Sequence, residues 1–312
     1  MTTFAHIINP VSASDNAGLN RIQQITFSSI TNAKKYAADK VDVKIYTAQF
    51  EQESSGVPEN FIVSGSLKRS VSDLYTFKNP RKLPLIKDIL DSLYDNSDAD
   101  YMIYTNLDIC LMPQFYATVN DYIKNGHDAF VINRRRISGK YNFAEQLDQV
   151  YSEVGAAHTG YDTFVFKRTL YKKFIMKDLC VGIPRAGNDL FYNIFCFAES
   201  PKLFTDKHLT VHIGMELSKD WGDADYNAHN EKEFKSLVKE LAPLIDITKF
   251  PGADLNFFSR HFKWLMNPTF HYPTMLKTDL KQLGRKRKKR EKDPKSFKQK
   301  YLEWLIKRIN FD

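Results

Sequence analysis

DYMIYTNLDICLM, residues 100–112, is apolar from Tyr101 to Tyr104, turns polar at Thr105, Asn106 and Asp108, and is apolar again before Pro113. A short apolar run bounded by turn residues reads as a buried strand of a parallel sheet. Ligands of such sheets bind just beyond the carboxyl ends of the strands. Asn106 and Asp108 stand at that place, two positions apart, so in an extended segment both face one way. Their oxygens suit a hard divalent cation shared with phosphate oxygens. They equally suit a turn that leads into a helix opened by Pro113.

Outward from this stretch, FAHIINPV (4–11) reads as a first strand closed by Asn9 and Pro10, VDVKIYTA (41–48) alternates as a second, and PENFIVSG (58–65) supplies another. Ile22, Ile25, Ile30, Ala33 and Ala37 recur near helical spacing between the first two. LPLIKDILDSLYD (83–95) puts Leu85, Ile86, Ile89, Leu90 and Leu93 on one helix face, with Pro84 in its first turn. PQFYATVNDYIKNG (113–126) reads as a helix from Pro113 to a stop at Gly126. DAFVINRR (128–135), DTFVFKR (162–168) and HLTVHIG (208–214) read as strands, and NDLFYNIFCFA (188–198) as a helix. The alternation predicts an α/β fold, a mixed and mostly parallel sheet flanked by helices. Past about residue 215 the pattern changes to helices and Pro-broken loops. Three parts are expected: 1–215 as the sheet domain, 216–280 as a helical extension packed on it, and 281–312 as a basic linker with an amphipathic helix.

The net charge of +8 is local: from Lys281 onward thirteen lysines and arginines face four acids, which leaves the rest of the chain near neutral. The run Arg285, Lys286, Arg287, Lys288, Lys289, Arg290 precedes SFKQKYLEWLIKRINF, an amphipathic pattern suited to an anionic membrane surface, or to a terminal helix packed on the body. A nucleic-acid partner would call for a recognisable binding module, and the body offers none. No window is long and apolar enough to cross a membrane, and MTTFAHIINP lacks the regions of a signal peptide. Cys110, Cys180 and Cys196 have neither metal spacing nor an even count, which points to a reducing, cytoplasmic setting.

Four further groups carry chemistry or plain structure. His212, two residues before Gly214 and ahead of Trp221, is a nitrogen ligand for a metal or a hydrogen-bonded strand end. Asp189, at a helix start, is a cap or a general base whose pKa the helix holds low. Gly160 and Asp162 are contacts to sugar hydroxyls or a turn before a strand. Arg134, Arg135 and Arg136 end another strand: one could face a diphosphate, and the other two read as a solvated strand end.

In chain order these features are a strand, N-x-D, a helix, a strand ending in arginines, G-x-D, an N-D helix, and a strand with H-x-G followed by Trp. Over about residues 4–215 this resembles the GT-A type of nucleotide-sugar glycosyltransferases, especially the bacterial family-2-like enzymes. The resemblance implies a nucleotide-sugar donor, a glycan or lipid-linked glycan acceptor as in surface polysaccharide synthesis, and a divalent metal, Mn or Mg. It implies Asp108 and His212 as metal residues, and Asn9, Pro10, Asn106, Asp108, Arg134 and Arg135 around the donor. Gly160, Asp162 and Trp221 would face sugar or acceptor. Asp189 would be the catalytic base of an inverting transfer. Two positions depart from the family pattern: N-x-D stands for D-x-D, and N-D for E-D. The first removes one anionic ligand, so a retained fold without activity, a sugar-binding or scaffold protein, is the alternative. A sugar nucleotidyltransferase would carry a Gly-rich loop after the first strand, where this chain has NPVSASDNAG.

Overall fold

Val41, Val43 and Ile45 are buried while Asp42 and Lys44 between them face water, the period of two that makes a strand. The computed structural model describes residues 1–11, 17–51, 56–214 and 224–292. The chain divides into two compact units, Met1–Asp254 and Leu255–Asp312.

The first unit runs β1 (Thr2–Ile8), α1 (Ala17–Tyr36), β2 (Val41–Gln49), β3 (Ile62–Ser66), α2 (Val71–Leu74), α3 (Ile86–Asn96), β4 (Tyr101–Thr105), β5 (Ile109–Leu111), α4 (Phe115–Lys124), β6 (Ala129–Ile137), α5 (Leu147–Ser152), β7 (Ala156–Lys167), α6 (Arg168–Tyr171), α7 (Ala186–Phe197), β8 (Pro201–Phe204), β9 (Thr210–Ile213) and α8 (Ala224–Leu241). The second carries α9 (Phe257–Met266) and α10 (Tyr272–Lys292). Strands follow the order β3-β2-β1-β4-β7-β6-β9-β5, with β8 also paired to β6. β3, β2, β1 and β4 are mutually parallel, β7 is antiparallel to β4 and to β6, and β6 is parallel to β8 and β9. The mixed, mostly parallel α/β sheet expected from the alternation is the one observed.

The opening stretch closes this sheet. β4 and β5 are four places apart in the strand order, yet only residues 106–108 join them. Four spacings of about 4.8 Å make about 19 Å in a flat sheet, while four residue steps reach at most about 14 Å. The sheet must therefore curl until β5 lies near the end of β4. β6 makes the bend by changing partners, pairing with β8 over Ala129 to Ile132 and with β9 over Arg135 to Ile137. Phe4, Ile8, Phe27, Ile30, Phe115 and Val119 fill the core between the sheet, α1 and α4.

Several expectations change. β5 is a strand where the sequence reads only as the approach to a helix, and Pro113 precedes the helix it was expected to open. Pro84 likewise lies before α3, whose apolar face Ile86, Ile89, Leu90 and Leu93 is buried as expected. Asp162 does not precede its strand but lies inside β7. The basic stretch expected as a linker is helical as far as Lys292, since Lys and Arg are good helix formers. Trp221 and the amphipathic segment 297–311 lie outside the described residues.

Candidate active site

β7 is not regular where it crosses the bend. Ile132 pairs with Thr163 and Asn133 with Tyr161, so Asp162 is an extra residue in the ladder; between Asn133 and Arg135 the partners jump from Tyr161 to Ala157. Bulges of this kind re-aim side chains and gather next to active sites. Here they turn Asp162 toward the strap between β4 and β5 and set Gly160 against His158 and Arg134. Gly160 is needed for close approach: a Cβ there would stand 2.8 Å from the His158 ring and 3.0 Å from the Arg134 guanidinium.

The strap itself is both a turn and a site. Ile109 N–H donates to the Asn106 carbonyl at 3.2 Å, closing the turn. The Asn106 side chain then bridges inward, accepting from the Tyr104 hydroxyl at 3.1 Å and donating to Asp162 Oδ1 at 2.8 Å. Arg134 Nη1 donates to Asp162 Oδ2 in a buried ion pair. Burial raises the Asp162 pKa, and Arg134 offsets only part of that rise. Asn106 is thus a connector whose amide is engaged by protein.

Asp108 is different. Its Oδ2 meets His212 Nε2 at 3.0 Å, while its buried Oδ1 has no hydrogen-bond partner among the described residues. His212 Nδ1 lies 3.1 Å from the Gly214 carbonyl. Both imidazole nitrogens face acceptors, which is the environment of a protonated ring. Burial alone would lower the His212 pKa, but the Asp108 bond and charge outweigh it and raise it. Burial works equally against the Asp108 carboxylate, and His212 with Arg134 still brings its pKa below the usual range. His212 reaches this place through the curl: it pairs with Ile109 on one side and Arg136 on the other.

Arg134 and Arg136 share a face by strand alternation. Burial, then the charges of Arg134 and Arg136, lower the His158 pKa to about 4, so its ring is neutral and its Nδ1 accepts from Gly160 N–H at 2.8 Å. Asp162 balances Arg134, and Asp108 balances His212; among the described residues Arg136 is left as the surplus cation of the cluster. Buried polar atoms without a hydrogen-bond partner among the described residues lie on β6, β7 and the strap: Asp108 Oδ1, Asn133 Oδ1, Arg134 Nε, Arg136 Nε and Thr163 Oγ1.

The other expected residues go elsewhere. Arg135 points to the opposite face, paired with Asp206 and donating to the Val154 and Gly155 carbonyls at 2.6 and 2.9 Å. Asn9 ties the end of β1 to β2 through the Ala48 carbonyl at 2.6 Å, and Pro10 beside it is buried. Asp189 is fully buried, as are most of its neighbours on α7. Its Oδ2 accepts from Lys177 N–H at 3.1 Å and its Oδ1 from Asn193 Nδ2 at 2.9 Å. Burial pushes its pKa up to about 8, the reverse of the low value expected from a helix start. The charge of Lys177 and the two hydrogen bonds offset only part of the desolvation. Sequence reasoning missed His158 and the part played by Arg136; only the register of β6 against β7 and β9 brings them in.

The divalent cation that the resemblance implies can be tested on these donors. No three His, Cys, Asp or Glu are grouped to hold a metal ion among the described residues, and Asp162 is engaged by Arg134 and Asn106. Asp108 Oδ1 and His212 Nε2 remain, the latter oriented from behind by the Gly214 carbonyl, as metal-binding imidazoles are. They fit an ion shared with a ligand's own oxygens and do not fit one caged by protein alone.

No family model matches the chain, and no curated protein matches it. Solved structures with a similar chain path include residues 1–349 of S. aureus TarS in complex with UDP-GlcNAc, at 11% identity and a TM-score of 0.44, covering 89% of this chain and 79% of that one. Another is glucosyl-3-phosphoglycerate synthase from Mycobacterium tuberculosis in complex with Mn2+, UDP-glucose and phosphoglyceric acid, at 12% identity and a TM-score of 0.43, covering 78% and 81%.

Proposed function

We propose that the chain is a glycosyltransferase that takes a nucleotide-sugar donor at the curled carboxyl edge of its sheet and passes the sugar to a hydroxyl of a glycan or glycolipid acceptor. One observation carries the reading. Asn106, Asp108, Arg134, Asp162 and His212, distant in the chain and each ambiguous alone, form one cluster with a surplus cation and an unpartnered carboxylate oxygen.

In this reading Arg136 receives the donor diphosphate, and the Asn106–Asp162–Arg134 chain fixes the walls around it. Asp108 and His212 would hold a Mn or Mg ion together with the diphosphate, once His212 has released the proton it keeps in the ion's absence. Such an ion supplies charge stabilisation for a departing nucleoside diphosphate. Asp189 is not carried forward as the base, because its carboxyl is buried and both oxygens are bound. The setting proposed is cytoplasmic, with the basic C-terminal stretch resting on an anionic membrane where a lipid-linked acceptor would lie.

The test is thermal shift with UDP, GDP, CMP and dTDP, with and without Mn2+ or Mg2+, followed by donor hydrolysis. A ligand at about 100 times its dissociation constant adds about 2.7 kcal/mol. One nucleotide should raise the melting temperature in a metal-dependent way, and Asp108→Ala should remove the effect. No shift with any of the four would sink the proposal. A second reading, a sugar-nucleotide-binding protein without turnover, is favoured by the engaged Asn106 amide; binding with no donor hydrolysis would select it.

A further inference from the structure

α9, with the sequence FFSRHFKWLM, has two apolar faces. The inward face is complete: Trp264 is fully buried and packs near Phe270, and His261 meets the Tyr272 ring. Asp279 of α10 accepts from Arg260 Nε at 2.7 Å and pairs with His261 Nε2 at 2.9 Å, so this face is held by charge as well. The outward face consists of Phe258, Phe262, Leu265 and Met266, exposed by 82, 66, 58 and 66%. Their spacing of i, i+4, i+7 and i+8 makes one stripe about 100° wide. Leu280 and Leu283 on α10 are exposed as well. Four large apolar side chains beyond a finished inner face add nothing to the packing of the hairpin, and a patch of this kind marks a surface that meets something else.

Charge decides what it meets. Residues 255–292 hold eleven lysines and arginines against two acids, and one of those acids, Asp279, is already paired. The register locates this charge. Asp279 reaches back to Arg260, so α10 returns antiparallel along α9. α10 has 21 residues and α9 has 10, about 31 and 15 Å long. Beyond about Leu283, α10 therefore overruns the start of α9, where Phe258 stands, and this overrun is the stretch with the basic run. Two copies pressed face to face would leave both basic runs without a countercharge, whereas an anionic surface supplies one beside the stripe. A nucleic acid would use the charge and leave the stripe wet.

We infer that the second unit docks on an anionic bilayer, with Phe258, Phe262, Leu265 and Met266 entering the interface and the basic run of α10 lying over the headgroups. Apolar contact and electrostatic attraction together give interfacial binding that neither gives alone. This rests on the membrane setting proposed above and moves its anchor from the C-terminal end to α9.

The experiment is vesicle flotation of the full chain with phosphatidylcholine alone and with about 30% phosphatidylglycerol added. Three proteins are compared: the unmodified chain, Phe258→Ser with Phe262→Ser, and Arg285→Gln with Arg287→Gln and Arg290→Gln. The unmodified chain should float with the anionic vesicles and hardly with the neutral ones. The serine variant should keep its melting temperature and lose about tenfold or more of its partitioning. The glutamine variant should bind more weakly and with a shallower salt dependence. Flotation of the serine variant equal to the unmodified chain overturns the inference. If only the glutamine variant fails to float, the basic stretch anchors the protein without α9. A dimer in light scattering that the serine variant abolishes, with no flotation of the parent, would assign the stripe to a second copy and overturn it too. Nucleotide binding, measured on the same samples, should be equal in all three, so a failed anchor cannot be mistaken for a failed transferase reading.

Discussion

Asp108 and Asp189 are both carboxylates close to an asparagine in the sequence, both lie near the end of a regular element, and the structure treats them in opposite ways. Asp189 is surrounded by neutral donors that use both its oxygens, and it bolts the segment around Lys177 to α7. Asp108 has one oxygen on His212 and the other on nothing among the described residues. In the first, burial outweighs two hydrogen bonds and the charge of Lys177, and the carboxyl holds its proton. The second belongs to an electrostatic network that keeps it ionised despite burial. The contrast teaches that saturation and burial together separate a structural acid from one left available to a ligand: Asp189 is sealed and satisfied, while the Asp108 side chain is 28% exposed and keeps one oxygen open.

Four changes would sharpen or break that contrast. The largest effect is expected at Arg134→Ala, which leaves Asp162 buried without its counter-ion and should cost about 3–5 kcal/mol of stability in urea denaturation. A loss below about 1 kcal/mol would mean that Asp162 is protonated in the parent and the pair is not ionic.

Asp189→Ala comes next. It orphans two buried donors and should cost about 1–3 kcal/mol, with nucleotide affinity unchanged in the folded protein. The pH dependence checks the cause. The folded pKa of about 8 lies above the usual carboxyl value, so the folded state holds the proton more tightly than the unfolded chain. The stability linked to Asp189 is therefore full below about pH 4 and lost as pH rises toward about 8, and the alanine variant should lack that slope. Asp189→Asn should leave sugar transfer standing, where a catalytic base would abolish it.

Arg136→Ala tests the site side of the contrast. It breaks no ion pair among the described residues, so the melting temperature should hold. Affinity for the nucleoside diphosphate should fall about tenfold or more, near 1.4 kcal/mol. A normal affinity would remove Arg136 from the donor site. The smallest effect is expected at Arg135→Ala, on the opposite strand face. Affinity should not move, and stability should fall by only about 1 kcal/mol: the Arg135 side chain is 13% exposed and bonds two carbonyls, but its ionic partner is an exposed acid.

Much of this was legible one element at a time. Val41, Val43 and Ile45 announce a strand by alternation, and Ile86, Ile89, Leu90 and Leu93 a helix by spacing, since local burial patterns are written in local periodicity. β5 was not legible: Ile109, Cys110 and Leu111 are three residues with no period to read, and only the pairing with β9 makes them a strand. The arginine triplet was legible as a strand end but not in its facing. The register against β7 and β9 decides which arginines turn inward, and the pair chosen from sequence included Arg135 in place of Arg136.

The sequence by itself determined the order of strands and helices, the placement of polar residues where strands end, and the concentration of positive charge near the C-terminus. These depend on neighbours within a few positions, where backbone geometry leaves few choices. Tertiary structure alone decided that the turn at Asn106 closes a curled sheet, that Asp108 meets His212 across 104 positions, and that Asp189 is fully buried. Those outcomes depend on which strands pair and where the ladder bulges, and a strand's own residues do not record the register of its neighbour.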